Sequence, residues 1–252
     1  MKWVFQALAA LLFLAIASIN PALAFQLKPI SQVFAPIGEE ATKSYEVVND
    51  SDERIAVEVS VVERNMDIDG QESYAPADED FLIYPPQMIL EPQSVQTVRV
   101  TWLGDPDPSQ ELTYRLVAEQ LPINLADPDA QVTRPVGSVQ ILLRYLGSLY
   151  VRPADVAPDV QVASVEAITG AEGEAQVAIT LENQGAASAR LRDVQVSLTA
   201  QGATVNLGPD QLDGMAGQII LPGHQRRFVI PRPTNLANGQ ITATLEYRQE
   251  DE

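Results

Sequence analysis

The sequence predicts an all-β protein built as two sandwich domains, and three observations carry that reading. Short runs of alternating apolar residues recur beyond residue 24, separated by Pro, Gly, Asn and Asp at intervals of about 8–15 residues. No long helical period interrupts them. The chain has 252 residues, enough for two ordinary domains, and its 46% hydrophobic content is that of a globular protein.

Residues 1–24 read as a secretory leader. Lys2 supplies the positive start, residues 7–19 form the apolar run, and Ala22-Leu23-Ala24 is an A-x-A cleavage pattern. A run of that length is short of the roughly 20 residues a membrane helix needs. Cleavage is therefore expected after Ala24, leaving an exported chain that begins at Phe25 and has no membrane-inserted segment.

The elements then follow in order. Residues 25–34 predict a first strand broken near Pro29. Residues 42–49 alternate cleanly and end in the turn cluster Asn49-Asp50-Ser51-Asp52. Residues 55–64 alternate again, with Ile55, Val57, Val59 and Val61 on one face. Asn65, Asp67 and Asp69 followed by Gly70 resemble the start of a calcium loop. The twelfth position, where that loop needs a bidentate Glu, is Pro76. Asp69-Gly70 instead signals a hairpin turn. Residues 81–89 are a Pro-containing stretch, 95–102 a strand with Val98, Val100 and Trp102 on one side, and 111–121 the next. Residues 124–137 are polar and Pro-containing.

Residues 153–158 carry two prolines and no alternation, so they are read as a linker between a first domain at 25–152 and a second at 159–252. In the second, strands are expected at 160–168, 175–183, 189–199, 218–221, 225–231 and 239–248, with a polar Gly-rich piece at 200–217. Val177, Ile179 and Leu181 predict one buried face there.

Residues 139–153 attract the functional argument. Val139, Ile141, Leu143 and Tyr145 recur every second residue and so share one face of a strand. On periodicity alone this is an ordinary core strand. The sharper reading is an apolar row offered to another protein. Two flanking segments favour the second. Tyr114 to Pro122 follows a Tyr-x6-hydrophobic-Pro pattern, and Leu149-Tyr150-Val151-Arg152-Pro153 ends in Arg-Pro. Together, over about residues 25–155, these resemble the periplasmic chaperones of the chaperone–usher pilus pathway, the PapD-like family, in a divergent branch.

That resemblance implies two immunoglobulin-like domains and a periplasmic location. It implies a chaperone that binds pilus or fimbrial subunits and delivers them to an outer-membrane usher. Binding would be by donation of the strand bearing Val139, Ile141, Leu143 and Tyr145. Each buried Val, Leu or Ile contributes about 1.5–3 kcal/mol. The exposed strand would also allow self-association. The family grips the subunit's terminal carboxylate with an Arg and a Lys, and here those positions fall on Ser31 and Ser148. Lys28, Arg115 and Arg144 are the substitute cations, with Arg115 favoured for its bidentate fork. Glu111 and Arg152 resemble two members of a charged cluster between the domains. Its third member is not identifiable, although Asn235 and Asn238 lie in the corresponding region.

Composition restricts the alternatives. There is no cysteine and one histidine, His224, in a turn expected to be exposed. Disulfides, thiolate sites and cysteine nucleophiles are excluded, and no cofactor, metal or enzymatic activity is expected. Without the leader, 15 basic residues face 34 acidic ones, a net charge of −19, which argues against nucleic acid as a partner. The competing reading is a secreted structural or adhesive β-sandwich, such as an adhesin or a pilus subunit. A subunit would carry an alternating N-terminal extension, whereas the donor-like run here lies mid-chain.

Overall fold

The computed structural model describes residues 25–123, 125, 141–212 and 214–249. The expected leader and Val139 lie outside the described residues. In the first domain the strands are β1 (Phe25–Lys28), β2 (Ser31–Phe34), β3 (Thr42–Asn49), β4 (Ile55–Met66), β5 (Glu72–Pro76), β6 (Phe81–Tyr84), β7 (Gln87–Leu90), β8 (Ser94–Trp102), β9 (Leu112–Gln120) and β10 (Arg144–Val151). They form two facing sheets. One has the order β1-β3-β8-β6; the other runs β2-β10-β9-β4-β5, with β7 also pairing β4.

Proline decides where the chain changes sheet. It has no N–H to give a ladder, so Pro29 ends β1 and the Pro85-Pro86 pair ends β6. The chain resumes in the opposite sheet as β2 and β7. The alternating rows face inward: Tyr45 and Val47, Val57, Val59 and Val61, Val98, Val100 and Trp102, and Leu149 and Val151 all lie in one core. An aromatic cluster fills one end. Phe81 meets Trp102 and Tyr114 at 5.0 Å between ring centres and Phe34 at 6.0 Å, all edge-on.

The second domain contains β11 (Val160–Thr169), β12 (Ala175–Asn183), β13 (Ala189–Ala200), β14 (Ala203–Leu207), β15 (Ile219–Ile220), β16 (Gln225–Pro231) and β17 (Ile241–Gln249). One sheet is β11-β12-β16. Facing it, β13 pairs β14, β15 and β17, with β15 meeting only its first two residues. Both domains are immunoglobulin-like sandwiches. Val177, Ile179 and Leu181 are fully buried as expected, but Ala178 and Thr180 on the opposite face are buried too. There the turn between β4 and β5 stands over the sheet, and the two border a cleft of about 650 Å³.

A structural repeat joins the domains. Asn49 ends β3 and Asn183 ends β12, and both are wholly buried. Each amide donates to the carbonyl four residues on (Glu53, Ala187) and to a later segment (Leu90, Ile220). Each side-chain oxygen accepts a backbone N–H two residues on (Ser51, Gly185). A buried Asn satisfies both its donor and acceptor capacity this way. No residue-level repeat betrays the duplication.

Candidate functional site

The β10 strand is flanked unevenly. On one side β9 pairs it along its whole length, Arg144 opposite Glu119 through Val151 opposite Leu112. On the other side β2 pairs it only from Ser148, opposite Ser31, to Val151, opposite Phe34. The half-strand Arg144 to Gly147 therefore has an edge that no described strand covers. Gln120 N–H donates to Leu143 C=O at 3.0 Å, so the pairing with β9 extends just before the strand. Antiparallel ladders alternate, which turns the main-chain groups of Arg144 and Leu146 toward the open side.

Side chains along this edge divide in the same way. Tyr145 packs edge-on against Phe25 at 4.9 Å, and Leu143 also lies against the core. Ile141 is 74% exposed and Leu142 42%. The regular strand begins at Arg144, so Ile141 and Leu143 precede it instead of lying within it. Gly147 permits the transition from open to paired edge. A Cβ there would meet the Ile30 carbonyl oxygen at 3.2 Å and a Leu27 methyl at 3.3 Å, where the chain crosses from β1 to β2.

Where the open edge ends, a charged cluster begins on the outward face. Arg115 lies opposite Ser148 and donates Nη1 to its Oγ at 2.6 Å. Its Nε and Nη2 grip Glu72 bidentately, at 3.0 and 2.5 Å. Arg64, almost wholly buried, adds Nη2 to the same carboxylate at 2.6 Å. The Tyr74 hydroxyl donates to it at 2.8 Å. Arg115, Ser148 and Ser31 are thus brought together. Lys28 is exposed on β1, in the other sheet. Arg144 sits roughly 13 Å up the strand from Ser148 at about 3.3 Å per residue. It pairs loosely with Glu119 at 3.4 Å, both half-exposed, a contact of little energetic weight.

Burial alone would raise the pKa of Glu72. The hydrogen bonds from Arg115 and Tyr74 and the charges of Arg64 and Arg115 outweigh it and hold the carboxyl at about 2, below its ordinary 4.5. A depressed folded-state pKa stabilises above the unfolded value and is lost as pH falls through the folded one. Glu72 should therefore contribute about 2–3 kcal/mol above pH 4.5, fading toward pH 2. Urea titrations of wild type and Glu72→Gln will converge over that window. Parallel curves would overturn this assignment.

Sequence reasoning missed Glu72, Arg64 and Tyr74. A signal existed: the hairpin turn at Asp69-Gly70 sets a register placing Arg64 opposite Tyr74 and Met66 opposite Glu72. The turn is closed by Asp67, whose Oδ1 accepts the N–H groups of Asp69 and Gln71.

Among the described residues, two polar contacts join the domains. Glu111, with its side chain fully buried, is paired with Arg152 and accepts the Ser188 N–H at 3.1 Å. Its own N–H donates to Ala186 C=O at 2.8 Å. The second domain meets Glu111 through residues 186–188, while Asn235 and Asn238 are exposed elsewhere. The other contact is the hairpin tip. Arg227 N–H donates to Ile68 C=O, and its guanidinium pairs with Asp69. Arg226 is buried against Met66 and over the Phe228 ring, and burial lowers its pKa. Gly70 lies so close that a Cβ would fall within 1.9 Å of the Arg226 guanidinium. His224 is half-buried instead of exposed. It lines the small cleft at this junction beside Glu63 and Glu111, with Nδ1 at 2.8 Å from Pro222 C=O.

The profile of the pili and flagellar-assembly chaperone family, PapD N-terminal domain, matches residues 32–157, half of the chain. Solved structures agree in fold. A chain of the CsuC–CsuE chaperone–tip adhesion subunit pre-assembly complex, from the archaic chaperone-usher Csu pili of Acinetobacter baumannii, superposes with a TM-score of 0.56 at 17% identity. That match covers 84% of this chain and 89% of the other. The class 5 fimbriae chaperone CfaA matches with a TM-score of 0.53 at 16% identity, over 89% and 100% of the two chains. The E. coli chaperone DraB matches at 0.50 and 19%, over 87% of each. No curated protein matches in sequence. With its first domain matched by the family profile and both its sandwiches shared with solved pilus chaperones, this chain belongs to the PapD-like pili and flagellar-assembly chaperones.

Proposed function

We propose that this protein is exported to the periplasm, captures pilus-type subunits by adding a strand to the open edge of β10, and hands them to an outer-membrane usher. The observation that carries the reading is the half-covered edge beside Arg144 to Gly147, continued upstream by exposed Ile141 and Leu142. Added strands gain affinity from main-chain hydrogen bonds and specificity from alternate side chains. The donor row is Val139, Ile141, Leu143 and Tyr145. No bond is made or broken in such a mechanism. The CsuC–CsuE complex pairs a chaperone with a tip adhesion subunit, which supports a partner of that class.

The edge also favours one orientation. The β2 strand occupies it from Ser148 onward, so an added strand must stop there. If it runs parallel to β10, its C-terminal carboxylate arrives beside Ser148 and Arg115. If it runs antiparallel, a cationic amine arrives beside a guanidinium, which is repulsive. Arg115 is thus the proposed anchor, assisted by Ser148 and Ser31. The same edge leaves the free protein open to self-pairing. Glu111 and Arg152 are proposed to set the angle between the domains.

Co-expression with pilus subunits and co-purification from the periplasm test the proposal. Wild type is expected to carry a subunit. Ile141→Asp, exposed and harmless to the fold, should lose it by tenfold or more, since one buried charge outweighs about 1.4 kcal/mol. Equal recovery with both proteins overturns strand donation. Recovery of no subunit by either favours the structural or adhesive reading.

A further inference from the structure

Arg115, the proposed anchor, is already occupied. Its Nε and Nη2 are on Glu72 and its Nη1 on Ser148. The Glu72 carboxylate offers the same two-oxygen fork that a chain terminus offers. It begins the edge strand β5, paired only to β4, so a rotamer change withdraws it without breaking a ladder bond. Donors also outnumber acceptors around it. Arg64 and Arg115 converge on one carboxylate, and Arg226 is close enough to feel its charge. The Nε atoms of Arg64 and Arg226 are buried and have no hydrogen-bond partner. Buried guanidinium N–H groups left unpaired are unfavourable, so the cluster has capacity for a second carboxylate.

We propose that Glu72 is an internal carboxylate that occupies the Arg115 and Arg64 guanidinium groups in the free protein and competes for them with the terminal carboxylate of a bound strand. This rests on the strand-addition reading and deepens it. In the free protein Glu72 bridges the two guanidinium groups and offsets part of their charge. On capture it yields part of the Arg115 fork. On transfer it returns, which lowers the barrier to releasing the strand. Glu72 is a positioning residue in this scheme, since it acts through Arg115.

The test uses the full exported chain and a ten-residue alternating Thr/Val peptide, dye-labelled at its N-terminus, as the free C-terminal acid and as the amide. Binding is read by fluorescence anisotropy at pH 7. Glu72→Gln is expected to bind the acid peptide about tenfold more tightly than wild type and the amide equally well, because only the acid gains the vacated charge-assisted bonds. Tyr74→Phe keeps the carboxylate and removes one of its holds, so it should give a smaller gain in the same direction, about twofold to threefold. Near-UV circular dichroism confirms that both variants are folded. If Glu72→Gln binds the acid no more tightly, or gains equally for acid and amide, the competition is overturned. If Ile141→Asp binds as wild type does, or if no protein binds either peptide, strand addition itself fails and the role of Glu72 with it. Loss of binding in Ile141→Asp without an acid-specific gain in Glu72→Gln removes only the latter.

Discussion

Phe81→Ala is expected to destabilise the first domain by about 3–5 kcal/mol, the range for removing a buried aromatic ring. Phe81 is the hub of the aromatic cluster, touching Phe34, Trp102 and Tyr114 edge-on. Three neighbours must collapse together to refill the space, and all three are held by their own strands. Tyr114 is further fixed by its hydroxyl bond to Asp80 at 2.9 Å. The cavity should therefore persist, which places the cost toward the upper end. Urea unfolding followed by Trp102 emission reads the change directly. An unchanged m-value with a lower midpoint is the expected form. A loss below about 1 kcal/mol would show that the cluster repacks.

Glu111→Ala should cost about 3–5 kcal/mol through a different mechanism. Its carboxylate is fully buried at the domain junction and serves both Arg152 and the Ser188 N–H. Removing it leaves the half-buried Arg152 guanidinium and the buried Ser188 N–H without that acceptor. Glu111→Gln retains an oxygen for Ser188 and loses only the charge, so about half the penalty is expected. Calorimetry of the two variants separates the contributions. Equal losses would mean that packing, not the charge pair, holds the junction.

Much of the architecture was legible because alternation is a property of neighbouring residues. Residues 42–49, 175–183 and 225–231 are short apolar-bearing runs bounded by turn residues, and the strands found there coincide with those runs. The β14 strand was hidden in the polar piece at 200–217. Its only apolar residues facing the core are Val205 and Leu207, while Thr204 and Asn206 bond across to Thr199 and Ser197 on the wet face. The apolar row at 141–145 was legible too, but not that the regular strand starts only at Arg144.

The charged cluster was illegible for a physical reason. Arg115 was visible as a candidate cation, yet its surroundings depend on three strand pairings at once. Ser148 must lie opposite Arg115, Arg115 beside Val62, and Glu72 across the hairpin from Met66. A slip of one residue in any pairing would turn Glu72 or Arg115 to the other face. Fold class, most strand positions and the alternating apolar row follow from short-range patterning of apolar and turn residues, which the chain carries locally. The half-open edge of β10, the pairing of Arg115 with Glu72 and the docking of the β4–β5 turn on Arg226 and Arg227 follow from long-range register. They exist only once the sheets have closed around a common core.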